Sequence, residues 1–84
     1  MIGAMSGDGD VIQVDTTGQA CPMPVIELAK AVRAAEVGAV VELVSDDATS
    51  KVDIPIWCRM QHQTLRSQRE DGGVWTFQIE KTSA

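Results

Sequence analysis

Apolar and polar positions along this chain alternate between two periods, and each change of period marks a new element. Val11-Ile12-Gln13-Val14-Asp15 is a β-favouring run closed by Thr16-Thr17-Gly18, which predicts a first strand. From Pro22 the period lengthens. Val25, Leu28, Ala29 and Val32 recur at helical spacing while Glu27, Lys30 and Arg33 face away, so a helix is predicted that stops between Glu36 and Gly38, glycine supplying its cap. Ala39-Val40-Val41-Glu42-Leu43-Val44 is apolar on both sides, as expected of a strand central in its sheet. Asp46-Asp47-Ala48-Thr49-Ser50 then offers capping residues, and Val52, Ile56, Trp57 and Met60 form a second helical stripe. Pro55 would remove a backbone bond from a helix interior at a cost of about 3 kcal/mol, so this helix is expected to begin near Asp53, with Pro55 in its first turn. Thr64 to Glu70 is a strand of weak pattern. Asp71-Gly72-Gly73 is a hairpin signal, and in the run from Val74 to Glu80 the residues Trp75, Phe77 and Ile79 share the buried face.

The order is strand, helix, strand, helix, strand, strand. A strand-helix-strand crossover leaves its two strands parallel, and the closing hairpin is antiparallel. The predicted fold class is therefore an α/β (α+β) two-layer sandwich, βαβαββ, with two helices packed on one face of a four-stranded mixed sheet. Residues 1–10 are glycine-rich and polar and are expected to form a flexible N-terminal tail, leaving residues 11–84 as a single domain.

Size and charge narrow the function. A domain cut from 84 residues buries roughly 60% of the surface of its unfolded chain, enough for a two-layer core and too little for a deep enclosed pocket, so the chemistry should lie on the surface. The net charge is −5 and the seven Lys and Arg residues are dispersed, which argues against direct nucleic-acid binding. The first ten residues lack the basic flank and apolar run of a signal peptide, and nowhere do about 18 apolar residues follow one another, so a soluble cytoplasmic protein without membrane attachment is expected. A reducing compartment makes a disulfide between Cys21 and Cys58 a poor expectation. With one histidine and two distant cysteines the chain implies no metal, and no cofactor-binding motif is present.

The stretch that carries chemistry is Gly18-Gln19-Ala20-Cys21-Pro22-Met23-Pro24, at the junction of the first strand and first helix. Cys21 is expected at or next to the helix N-cap, with Pro22 at the first helical position and Pro24 at the third. Unpaired N–H groups and the positive end of the helix dipole would there favour a thiolate. No second thiol lies at CxxC spacing, so the pattern suits a single nucleophilic cysteine rather than dithiol exchange. A buried, inert cysteine is the alternative for Cys21, and the better reading for Cys58, which falls on or near an apolar stripe. Gly18, Pro22 and Pro24 would shape the site. His62 is expected to cap the second helix or lie at the surface, and Asp46-Asp47 to cap and close a loop rather than act as an acid-base pair.

Asp15-x-x-Gly18-x-x-Cys21-Pro22-x-Pro24 opening a helix, followed by Asp46-Asp47, Asp53-Ile54-Pro55-x-x-Cys58 and a helix-ending His62, resembles the TusA-type (SirA-like) sulfur-carrier family from about Val11 to Lys81. The resemblance implies a βαβαββ domain in which Cys21 holds sulfur as a persulfide. It implies a cysteine desulfurase or rhodanese-type sulfur donor, a downstream relay protein as acceptor, and destinations such as tRNA 2-thiouridine, molybdenum cofactor or sulfur oxidation. Gln19 departs from the family's usual apolar residue, and the loop after Asp46-Asp47 lacks a proline often found there, differences that bear on partner choice.

The reading that follows is a sulfurtransferase-type relay protein, expected as a monomer, that passes sulfur between partner proteins. Met23 and Glu27, beside the cysteine, are candidate docking residues by position. Whether such a carrier is an enzyme in its own right the residues leave open. The rivals are a non-catalytic regulatory or assembly module of the same fold, a redox protein pairing Cys21 with Cys58, and an RNA-binding protein, the last opposed by the acidic balance.

Overall fold

A computed structural model of the chain describes residues 11–83. The elements are β1 (Val11–Asp15), α1 (Met23–Ala34), β2 (Val40–Ser45), α2 (Ser50–Met60), β3 (Thr64–Asp71) and β4 (Val74–Glu80), in the predicted order. The sheet runs β1-β2-β4-β3. β1 and β2 are parallel, with Val11 opposite Val40 and Asp15 opposite Val44, while β2–β4 and β4–β3 are antiparallel. β2 is thus central, as its two-sided apolar pattern requires.

The core lies between the sheet and the two helices. Leu28 and Val32 of α1, Ile54 and Cys58 of α2, Val41 and Leu43 of β2, and Phe77 and Ile79 of β4 form one buried cluster, with Ile12, Val14, Leu65 and Trp75 packed against it. Burying each large apolar side chain of this kind contributes about 1.5–3 kcal/mol. The opposite sheet face is polar. Glu42 accepts from Gln13 Nε2 at 2.8 Å and Gln78 Nε2 at 3.4 Å, and Ser67 Oγ donates to Gln78 Oε1 at 3.3 Å, a ladder crossing all four strands. Gly72 and Gly73 form the β3–β4 turn with φ of 60° and 83°, a left-handed pair that a two-residue hairpin favours.

Both helices depart from their predicted ends. α1 stops at Ala34, before the expected Glu36–Gly38, because the buried Lys81 reaches across from just beyond the end of β4 and its Nζ donates to the Ala35 carbonyl at 2.7 Å. A cation at a helix C-terminus is favourable, and it replaces the glycine cap. Gly38 serves the next turn instead, its N–H donating to the Lys81 carbonyl at 2.7 Å.

α2 begins at Ser50, not near Asp53, so Pro55 lies inside the helix. The carbonyl that Pro55 cannot serve belongs to Lys51, and Gln68 Nε2 of β3 donates to it at 3.5 Å. The start is set further upstream, where Asp47 Oδ1 accepts from both the N–H and the hydroxyl of Thr49, at 3.0 and 2.9 Å, and the Asp47 carbonyl accepts from Ser50 N–H and Oγ. At the other end His62 adopts a left-handed φ of 61°, with Gln63 N–H donating to the Cys58 carbonyl and His62 N–H to the Arg59 carbonyl. Those two bonds are a Schellman closure, in which His62 stands where glycine is usual.

Candidate functional site

The parallel pairing of β1 with β2 places the β1–α1 and β2–α2 connections side by side at the carboxyl ends of the two strands, the position where open α/β sheets commonly build their sites. Two carboxylates of the second connection bind backbone of the first. Asp46 accepts the Gly18 N–H on both oxygens, at 3.0 and 3.2 Å, and Asp47 Oδ2 accepts the Cys21 N–H at 2.6 Å. Gly18 has φ of 83°, which a side chain would strain, so glycine lets the chain turn toward Asp46. Asp47 therefore does two things at once: its Oδ1 fixes the start of α2 and its Oδ2 fixes the backbone of Cys21. These bonds to Thr49 and Cys21 hold its carboxyl below the ordinary carboxylate value.

Cys21 is exposed at the surface. It lies next to the helix N-cap, as expected, while the two prolines each stand one position earlier in the helix than expected. Pro22 is the N-cap of α1, Met23 the first helical residue and Pro24 the second, so Cys21 stands just outside the helix, and the Cys21–Pro22 peptide bond is cis. The prolines offer no N–H, and that of Met23 is taken by the Ala20 carbonyl at 2.9 Å. The hydrogen-bond partner of the thiol is not the start of α1. Cys21 Sγ instead donates to Asp53 Oδ2 of α2 at 3.3 Å. This hydrogen bond, then partial loss of solvent and the charges of Asp53 and Asp47, raise the thiol above its ordinary value against a smaller opposing contribution from Thr49. The sulfur is accessible, and the groups around it favour the thiol rather than the anion expected from the sequence.

Beneath it, a notch between Cys21, Pro22 and Pro24 on one side and Thr49, Ser50 and Asp53 on the other is too narrow to admit a water molecule. A small substrate has no room there, and the open side of the sulfur faces solvent. Pro24 is buried and anchors the turn. Met23 is 37% exposed beside the cysteine, whereas Glu27, one helical turn on, is half-buried and pairs with Lys30 at 3.7 Å. Cys58 lies in the core at 2% exposure and takes no part in the site. His62 lies beyond the C-terminus of α2, its carbonyl accepting from Thr82 Oγ1 at 3.0 Å.

Cys21, Pro22 and Pro24 share one side of the notch and Gly18 is tied to Asp46 in the same loop, whereas Asp47, Thr49 and Asp53 had no expected role at the sulfur. Each carried a signal, since Asp47 and Thr49 have capping chemistry and Asp53 sits in the Asp-Ile-Pro segment. None of these signals says that the two connections meet.

Comparisons with known proteins agree with this fold. A family profile described as Sulfurtransferase TusA matches residues 12–81. The chain is 35% identical over 68 residues to a sulfur carrier protein TusA of Pseudomonas entomophila, covering 81% of this chain and 85% of the relative. A sulfur carrier protein TusA of Pseudomonas putida is 34% identical over the same shares. The crystal structure of a SirA-like protein from Desulfitobacterium hafniense superposes with a TM-score of 0.74 at 28% identity, covering 86% of this chain and 99% of the other. Among the described residues no helix is long and apolar enough to cross a membrane.

Proposed function

This chain belongs to the TusA family and is a sulfur carrier, and we propose that it holds its cargo as a persulfide on Cys21 and passes it from one partner protein to another. The observation that supports this reading most is the contrast in access between the two thiols, Cys21 exposed and Cys58 buried. Carriage of one sulfur atom needs one accessible cysteine, and a dithiol mechanism would need both. In loading, Cys21 Sγ bonds to the terminal sulfur of a donor persulfide and the donor's own S–S bond breaks. In unloading, an acceptor cysteine takes that terminal sulfur in the same way.

The absence of a cavity under Cys21 favours protein partners, which bring their own persulfide or thiol to an exposed atom. The donor in this reading is a cysteine desulfurase or a rhodanese-type enzyme, the acceptor is a further relay protein, and the exchange takes place in the cytoplasm. Gly18, Pro22 and Pro24 set the loop that presents the sulfur, and Met23 forms part of the docking surface, with Glu27 at its margin. The sulfur serves tRNA 2-thiouridine synthesis or related sulfur trafficking, which co-purified partners would distinguish.

Intact-mass analysis after incubation with a cysteine desulfurase and cysteine tests the reading. Wild type should gain one sulfur atom and Cys21→Ser none. A wild type that stays unmodified refutes it and favours the regulatory module, and a Cys21→Ser variant that loads equally refutes the assignment to Cys21.

A further inference from the structure

Among the described residues, the charged groups that face the Cys21 sulfur are acids. Asp53 comes from the first turn of α2 and Asp47 from the β2–α2 connection, where Asp46 is turned to the Gly18 N–H. Thr49, at the α2 N-cap, adds a neutral hydroxyl. From α1 and its N-cap come Pro24, Val25 and Pro22, and the first turn of α1 holds no acidic residue. This environment hampers thiol–persulfide exchange in both directions. The attacking species is the thiolate, which nearby carboxylates make scarce. When sulfur is handed on, Cys21 must leave, and exchange slows as the pKa of the leaving thiol rises.

Both obstacles are removed if a group at the sulfur takes the proton in one direction and returns it in the other. Asp53 is so placed, its Oδ2 already accepting the Cys21 S–H at 3.3 Å, within reach of a hydrogen bond to sulfur. Building on the reading of Cys21 as the sulfur-bearing residue, we propose that Asp53 is a catalytic proton carrier for both half-reactions. In loading, the Sγ proton passes to Asp53 Oδ2 as Sγ bonds to the terminal sulfur of the donor persulfide. The donor S–S bond breaks, its electron pair goes to the donor's inner sulfur, and the proton on Asp53 follows to that leaving thiolate. In unloading, the acceptor thiol gives its proton to Asp53 and attacks the terminal sulfur. The Cys21 S–S bond then breaks, and Sγ takes its electron pair and recovers the proton from Asp53. One thiol and one persulfide enter each step and one of each leaves, so no oxidant or reductant is required.

Asp53→Asn in the full chain, with glutathione persulfide as donor, provides the test. Loading is followed by intact mass in single turnover, and the empty thiol is titrated by its rate of alkylation with iodoacetamide. Loss of the neighbouring charge should move the alkylation midpoint to lower pH, making the variant more reactive to iodoacetamide, while sulfur loading at neutral pH falls on the order of 100-fold. A residue that acted through charge alone would move both rates upward together. Asp53→Glu, which keeps a carboxylate, should recover most of the loading rate.

Wild type supplies a second measurement that depends on no variant. Its loading rate should stay level with pH around neutrality, because the proton moves within the Cys21–Asp53 pair, rather than climb about tenfold per unit with the thiolate fraction. Asp53→Asn loading at the wild-type rate or faster, or a wild-type rate that tracks thiolate, overturns the proposal. Failure of wild type to load, or equal loading of Cys21→Ser, overturns instead the assignment of Cys21 on which it rests.

Discussion

Cys21 and Cys58 are the same side chain in two environments, and both thiols are held above their ordinary value for different reasons. At Cys21 the cause is first a hydrogen bond to the Asp53 carboxylate, with the sulfur open to solvent. At Cys58 it is burial, which raises the thiol to about 11. A depressed pKa is therefore not what marks the candidate carrier. Access marks it, together with a carboxylate in contact with the sulfur to manage the proton. Cys58 has a core to fill and neither of those features.

The largest expected separation between the two is in alkylation. At pH 8 Cys21 should react with iodoacetamide roughly 10³-fold or more faster than Cys58, the factor imposed if Cys58 is reached only through openings that cost about 5 kcal/mol. Mass mapping of alkylated peptides over time checks this. Comparable rates would mean that the helix layer opens freely around Cys58. Above pH 9 the sign is fixed by the raised value: the folded state holds its Cys58 proton more tightly than the unfolded chain, so stability is full below the ordinary thiol pKa and declines as pH rises toward about 11.

Much of the fold was legible in the chain because its elements announce themselves locally. The central position of β2 followed from its two-sided apolar run, the hairpin from Asp71-Gly72-Gly73, and the core face of β4 from Trp75, Phe77 and Ile79. What was illegible depended on contacts distant in sequence. Pro55 sits inside α2 because Gln68 serves the carbonyl it leaves free, and α1 ends early because Lys81 caps it. The raised value of the Cys21 thiol escaped for the same reason, since its largest determinant lies 32 residues further along, brought near by the parallel pairing of β1 and β2. The motif located the sulfur, and the crossover decided which groups surround it.

Asp47 offers a sharper comparison, because it ties the exposed cysteine's loop to the helix that carries the buried one. Asp47→Ala should lower the melting temperature by roughly 5 °C and raise hydrogen exchange in both connections together. A change confined to one connection would show that the two are not coupled through it. Its carboxyl lies below the ordinary value of 3.8, so its contribution is present above that pH and fades as pH falls through the lower folded value. The acid limb of the wild-type stability curve should shrink in the variant.

Cys58→Ala should leave sulfur loading intact while lowering stability by about 1 kcal/mol in a urea titration, since it removes one buried sulfur atom and leaves a small void. Loss of loading would implicate Cys58 in the exchange and revive the redox pairing. The smallest effect belongs to His62→Gly, which relieves the left-handed backbone at the end of α2 and should add about 0.5 kcal/mol without touching loading. A fall in stability there would mean that the imidazole contributes more than its backbone costs.

The most direct measurement is the position of the sulfur itself in the unmodified chain. Wild type loaded with a limiting amount of persulfide donor, then cleaved and mapped by mass, should carry the added sulfur on the peptide containing Cys21 and none on the peptide containing Cys58. Sulfur on Cys58, or divided evenly between the two, would contradict the account.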